Sequence, residues 1–200
     1  MDPHDDTRLG RLILVRHGES EGNRDRTFNR NPDVPLTPYG REQASVAASR
    51  IAVDYQPVRI VTSPFTRARQ TAEIIAEVFQ LPVEIEPALR EQGFGTFAGR
   101  PYDAIFEDAS YHAAPRAHWR PAGGESLLDV YERVVPAFDR IAKASVRHDV
   151  IVVSHGGVML ALCAYVTGAW ENVTLTPNGG IVVVEHRGGR PIANAVSGLL

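Results

Sequence analysis

Two stretches of this chain share one design. Leu12-Ile13-Leu14-Val15-Arg16-His17-Gly18 and Val150-Ile151-Val152-Val153-Ser154-His155-Gly156 are each a run of four apolar residues, then one polar residue, then His-Gly. A short, unbroken apolar run rich in β-branched residues is a strand buried on both faces, as found in parallel sheets flanked by helices. Both histidines must then stand where a central strand stops, which limits the fold more than any other feature does. Arg59 to Val61 and Gly180 to Val184 read as two further strands. Between the strands the apolar period becomes helical. Thr37-Pro38 opens a helix with Ala44, Ala47, Ala48 and Ile51 on one face, and Ala68, Ala72, Ile75, Ala76 and Phe79 mark another. Ser126 and Asp129 resemble a capping box before a longer helix with Tyr131, Val134, Phe138 and Ile141 inside and a bend expected at Pro136. The alternation predicts an α/β fold, a three-layer α/β/α sandwich with a mostly parallel sheet, as one domain over 1–200. Residues 93–124 break the pattern, scattering aromatics among Gly, Pro and Arg, and read as a lid-like excursion with an aromatic core.

Charge and composition exclude several classes. With 21 basic and 24 acidic residues the formal charge is −3, so no broad basic field exists for nucleic acid or an anionic membrane, and any anion site must be local. The longest apolar run, Val158 to Val166, is far short of the roughly 20 residues a spanning helix needs. The single cysteine, Cys163, permits neither an internal disulfide nor a Cys-rich zinc site and reads as a core filler. The acidic start, Met1 to Asp6, is unlike a secretory leader, so a cytoplasmic protein is expected.

In open α/β sheets, ligands bind outside the carboxyl ends of the strands. The strand at Arg59 to Val61 leads into Thr62-Ser63-Pro64, and Arg67 follows in the first turn of the next helix, where helix N–H groups and a guanidinium both favour an anion. The strand-end set is therefore Arg16, His17, Arg67 and His155. Two guanidinium forks and two imidazoles suit a tetrahedral phosphoryl group better than a metal. Each residue also has an ordinary reading: a turn or core histidine, an Arg67–Glu73 surface pair, a solvated Arg16. His4, His112, His118, His148 and His186 have no comparable setting and are read as surface or structural.

Four blocks in order, Arg16-His17-Gly18-Glu19-Ser20, Ser63-Pro64-Phe65-Thr66-Arg67-Ala68-Arg69-Gln70-Thr71-Ala72, Arg90-Glu91-Gln92-Gly93-Phe94-Gly95 and Ser154-His155-Gly156-Gly157, resemble the histidine phosphatase superfamily, also called the phosphoglycerate mutase-like family. The resemblance runs from about Leu12 to Ile181. It implies a phosphoglycerate mutase-like fold, a nucleophile at His17, phosphoryl oxygens held by Arg16, Arg67 and His155, and an acid at Glu91. Asn23 and Gly156 match positions that meet the bound phosphate. No metal and no cofactor are implied. The ordinary reading of Glu91 is a surface carboxylate paired with Arg90.

Cofactor-dependent mutases of this family place a basic residue after the acid and carry a longer insertion before the second histidine. Gln92 and the short excursion depart from both, and the run Leu89 to Gly95 with Gly123-Gly124-Glu125-Ser126 looks like the broad-range phosphatase branch. A metal-independent phosphomonoesterase acting through phosphohistidine on small phosphorylated metabolites is therefore expected. The alternatives are a cofactor-dependent phosphoglycerate mutase and, more distantly, a non-catalytic phosphate-ligand binding module. A Ser-His-acid hydrolase, suggested by Ser154-His155-Gly156-Gly157, lacks any Gly-x-Ser-x-Gly elbow. The expected partner is a small phosphorylated substrate, with no nucleic acid and no membrane; a homodimer is allowed but no residue demands it.

Overall fold

A computed structural model describes residues 9–199 except 30, 172 and 188–189. Its centre is the pair of strands that the sequence marks. β1 (Gly10–Arg16), β2 (Pro57–Thr62), β3 (Val83–Ile85), β4 (Asp149–Ser154), β5 (Ile181–Arg187) and β6 (Arg190–Leu199) form one sheet in the order β3-β2-β4-β1-β5-β6. β1 to β4 run parallel, and β5 runs against both β1 and β6. The antiparallel β5 departs from simple alternation because 168–180 climbs back to the end where β1 stops. There Gly179 N–H donates to Arg16 O at 3.1 Å and Arg16 N–H to Gly180 O at 3.0 Å.

The helices are α1 (Glu21–Arg24), α2 (Pro38–Asp54), α3 (Thr66–Phe79), α4 (Ala109–Ala113), α5 (Leu127–Lys143) and α6 (Gly156–Thr167). Alternate β1 and β4 residues serve opposite faces. Leu12, Leu14, Val150 and Val152 pack with Val134, Phe138, Met159 and Leu162 of α5 and α6, whereas Ile13, Val15, Ile151 and Val153 pack with Ala48, Ile51, Ala72 and Ile75 of α2 and α3. The two-sided burial explains why both runs lack polar residues. Thr37 caps α2 by accepting from Gly40 N–H, Ser126 and Asp129 form the expected capping box, and α5 continues through Pro136 to Lys143. Cys163 is buried in the core beside α5.

The excursion has a small core of its own, with Phe28, Phe97, Ala104 and Trp119 buried against Phe94, Tyr102, Ile105 and Tyr111. It is pinned to the segment after α1, where Phe28 N–H donates to Arg100 O at 2.9 Å and Gly99 N–H to Phe28 O at 2.7 Å. Among the described residues no helix is long and apolar enough to cross a membrane. His4 lies outside the described residues.

The loop after β1 rests on the start of α2. A Cβ at Gly40 would lie 2.0 Å from Glu19 O, and one at Gly18 would lie 2.1 Å from Gly40 O, so only glycine at both positions lets these backbones meet. Gly40→Ala is expected to lower stability by about 1–3 kcal/mol through overpacking and to shift His17, read as a lower urea midpoint and reduced affinity for inorganic phosphate. An unchanged midpoint would show that the loop is not held there.

Candidate active site

The β1–β4 register sets Arg16 beside Ser154, so the histidines that follow them are neighbours. Their rings are 5.1 Å apart, centroid to centroid, in an edge-to-face arrangement. His17 is 2% exposed and His155 is fully buried. His17 N–H donates to Ser154 O at 2.9 Å, locking the two strand ends together.

The hydrogen bonds of His17 define its tautomer. Its Nδ1 lies 2.6 Å from Gly18 O, and Arg67 Nε–H donates to its Nε2 at 3.1 Å. A guanidinium only donates, so Nε2 carries the lone pair and Nδ1 the proton. Burial first, then the nearby charges of Arg67 and Arg16, hold His17 well below the ordinary imidazole range. His155 is lowered in the same way by burial, then by Arg67, His17, Arg16 and Arg133. Both rings are neutral near pH 7.

Arg67, 2% exposed in the first turn of α3, forms no ion pair among the described residues, and its Nη1 is buried without a partner. The surface pair on this helix is Arg69–Glu73, not the Arg67–Glu73 alternative. Burial pushes the Arg67 guanidinium down to about 10, with Glu91 and Tyr102 opposing the shift and Arg16 adding to it. Arg16 is lowered by burial too; its Nη1 donates to Thr176 O at 2.6 Å and its Nε has no partner. A buried Arg67 and a partly buried Arg16, with spare donors and no ion pair among the described residues, leave a charge that an anion would satisfy.

Glu91 follows the 3-10 turn Pro87–Leu89 and faces the same cavity. Its Oε1 accepts from Gln92 N–H at 2.9 Å and from Gly157 N–H at 3.1 Å, at the start of α6. A Cβ at Gly157 would fall 2.8 Å from that oxygen, so the approach requires glycine. Arg90 does not pair with Glu91. It joins Glu125, which also holds Arg133 Nε at 2.9 Å and Gly93 N–H at 2.9 Å. Arg133 in turn donates to Ala88 O at 2.6 Å and to Glu91 O at 3.1 Å, so a partly buried ion pair grips the backbone that carries Glu91.

A cavity of about 710 Å³ brings Arg16, His17, Asn23, Arg67, Glu91 and Gly156 onto one wall. His155 is not part of that wall. It stands behind it, its Nε2 2.7 Å from Ser63 Oγ, its ring 5.3 Å from Phe65, and its Nδ1 buried without a partner. Asn23 is largely occupied by the protein: its Oδ1 accepts from Ser20 and Asn178, and its Nδ2 donates to Tyr102 Oη at 3.0 Å. Sequence reading missed Ser63, Thr176, Asn178, Glu125 and Arg133. Asn178 donates to His17 O at 3.0 Å across 161 positions, and no local pattern marks such a contact. The remaining histidines stay away from the wall. His112, His118 and His148 are exposed, and His186 is buried at the opposite end of β5. Among the described residues no group of three or more His, Cys, Asp or Glu could hold a metal ion.

A family model described as "Histidine phosphatase superfamily (branch 1)" matches residues 12–197. A glucosyl-3-phosphoglycerate phosphatase of Mycolicibacterium vanbaalenii is 34% identical over 171 residues, covering 80% of this chain and 76% of that protein. The phosphoglycerate mutase-like protein 4 of Arabidopsis thaliana is 32% identical over 169 residues, covering 79% of this chain and 71% of its own. A solved mycobacterial glucosyl-3-phosphoglycerate phosphatase in complex with VO3 superposes with a TM-score of 0.79 at 30% identity, over 87% of this chain and 92% of that one.

The neutral histidines tie stability to pH. In the unfolded chain both titrate near the ordinary value of about 6.5, whereas folded they resist protonation, so the unfolded state binds more protons below that value. Their stabilisation is complete above about pH 6.5 and is lost as pH falls toward their lowered folded values. Each is expected to contribute a slope of up to about 1.4 kcal/mol per pH unit in that window. Urea unfolding between pH 7.5 and 5.5 measures this slope, and His17→Asn should lessen it by about one histidine's share. A flat wild-type profile would mean that the imidazoles are not held neutral.

Proposed function

This chain belongs to the histidine phosphatase superfamily, and on that premise we propose that it hydrolyses small phosphomonoesters with His17 as the nucleophile. One observation carries the residue assignment: a neutral imidazole with its lone pair on Nε2 lines a cavity with two guanidiniums, one buried and one partly buried, that form no ion pair among the described residues. That a solved mycobacterial relative is a complex with VO3, a small oxyanion, supports an anion as the ligand of such a site.

In the proposed reaction His17 Nε2 attacks phosphorus as the bond to the ester oxygen breaks, while Nδ1–H stays on Gly18 O and steadies the charge that the ring gains. Phosphorus displaces the Arg67 Nε–H contact, and the Arg16 and Arg67 donors take the equatorial oxygens, with His155 Nδ1 in reserve behind His17. Glu91 gives a proton to the departing alkoxide, then removes one from the water that attacks phosphohistidine, releasing inorganic phosphate and restoring His17. The two guanidiniums supply the positive charge that a metal would otherwise bring, which supports a metal-independent reaction. Gln92 supports hydrolysis over isomerisation: its Nε2 donates to Glu125 O at 2.7 Å, so the position after the acid braces the loop and adds no cation. We extend the reading to one domain over 1–200 with 93–124 as its lid, in a cytoplasmic setting in keeping with the lone cysteine.

His17 is tested by trapping. Wild-type protein in EDTA, mixed briefly with substrate and quenched in alkali, is expected to hold acid-labile phosphate, and His17→Ala to hold none and to lose turnover. An adduct on His17→Ala removes the assignment, and phosphoglycerate interconversion that outpaces phosphate release would make the protein a mutase.

Glu91 is tested by the leaving group. An alkyl alkoxide needs a proton to depart and p-nitrophenolate does not, so Glu91→Gln should slow the adduct burst from an alkyl phosphate by roughly 10²–10⁴ and that from p-nitrophenyl phosphate far less. Equal slowing would make Glu91 a positioning group.

A further inference from the structure

We propose that the leaving-group end of the cavity takes a bulky apolar group, so that the preferred substrates are phosphate esters of large apolar primary alcohols rather than of polyhydroxylated ones. The inference rests on the phosphatase reading above and adds the substrate class.

The volume is the first observation. About 710 Å³ is the size of a site for a drug-sized molecule, many times what a phosphoryl group fills, so most of it faces the alcohol. What lines that space is the second. The excursion and the segment after α1 contribute Phe28, Phe94, Ile105, Tyr111 and Trp119, and Leu160 comes from α6. The rings are fixed by one another: Phe28 lies 4.2 Å from Phe94, and Tyr111 lies 5.0 Å from Trp119 in edge-to-face contact. A preformed aromatic wall gains from apolar contact without an ordering cost at binding.

The third observation is what the polar side chains are already doing. A sugar or glycerol body needs donors and acceptors free to replace water, since a hydroxyl buried without a partner is costly. Here Asn23 is bonded to Ser20, Tyr102 and Asn178, Gln92 to Glu125 O, Trp119 Nε1 to Ser110 Oγ, and Glu125 to Arg90 and Arg133. Arg116, Asn29, Asn31 and the hydroxyls of Tyr102 and Tyr111 keep capacity of their own, enough for a few polar substituents beside the apolar wall.

The test compares two primary alkyl esters, 2-phenylethyl phosphate and glycerol 3-phosphate. Glycerol is the better leaving group, so intrinsic reactivity runs against the expected order. The purified full-length protein should show a kcat/KM for 2-phenylethyl phosphate roughly 10- to 100-fold higher, the range expected for burying one phenyl ring. Ile105→Asn should narrow that ratio about fivefold, whereas Val53→Asn, at an exposed α2 position outside the cavity, should leave it unchanged. A ratio at or below one, with phosphate still released from both esters, overturns this proposal and leaves the phosphatase reading intact. Release from neither ester overturns it as well, and p-nitrophenyl phosphate run in parallel then decides whether the phosphatase reading falls too.

Discussion

The site depends on the parallel register of β1 and β4. With Arg16 opposite Ser154 and His17 N–H bonded to Ser154 O, two histidines 138 positions apart in the chain are set side by side at the carboxyl end of the two central strands. Nothing else in the fold could place them so closely without a dedicated loop. The requirement reaches back into the core: a strand pair buried on both faces must be apolar throughout, so the polar chemistry begins at the first residue beyond the ladder. Every other component arrives at that same end. Arg67 comes from the start of α3, Glu91 from the loop after β3, and Thr176 and Asn178 from the segment that climbs back to begin β5.

Charge then decides which state the site adopts. Arg67 is buried and Arg16 partly buried, neither in an ion pair among the described residues, which costs stability, and the cost is tolerable because an anion can restore the missing partner. Burial first, and these two charges with it, hold His17 and His155 neutral, and the Arg67 Nε–H contact keeps the His17 lone pair on Nε2. A carboxylate inserted against Arg67 would relieve the guanidinium, but it would also raise His17 and repel the phosphate. The unpaired arginines and the neutral histidine are one arrangement.

Much of this was legible because it is local. The apolar runs, the Thr37-Pro38 start and the Ser126–Asp129 capping box depend on neighbours a few residues apart, and the His-Gly ends follow from where the runs stop. Glu91 was reached only through resemblance, since a carboxylate in a loop carries no periodic signal. β3 has three half-exposed or exposed residues and β6 lies at the sheet edge, so neither displays a two-sided apolar run. Ser63, Asn178 and Arg133 escaped for a different reason. Each acts through hydrogen bonds that span dozens to well over a hundred positions, and a serine, asparagine or arginine in a loop or helix face looks the same whether or not such contacts exist.

Arg133 also shows how the excursion and the Glu91 segment are joined. Its fork binds the Glu125 carboxylate while its remaining donor holds Ala88 O, and Glu125 reaches across to Gly93 N–H where the excursion begins. The Glu91 segment is thus fixed from both sides, by α5 through Arg133 and by the α6 N-terminus through Gly157. A change in the excursion that moved Gly93 would pass through Glu125 to the backbone of Glu91, whereas His17, anchored to β4, would stay in place. His17 therefore belongs to the end of the sheet and Glu91 to the boundary between the sheet and the excursion. In such a division the aromatic side of the cavity can vary while the end that holds Arg16, His17 and Arg67 stays constant.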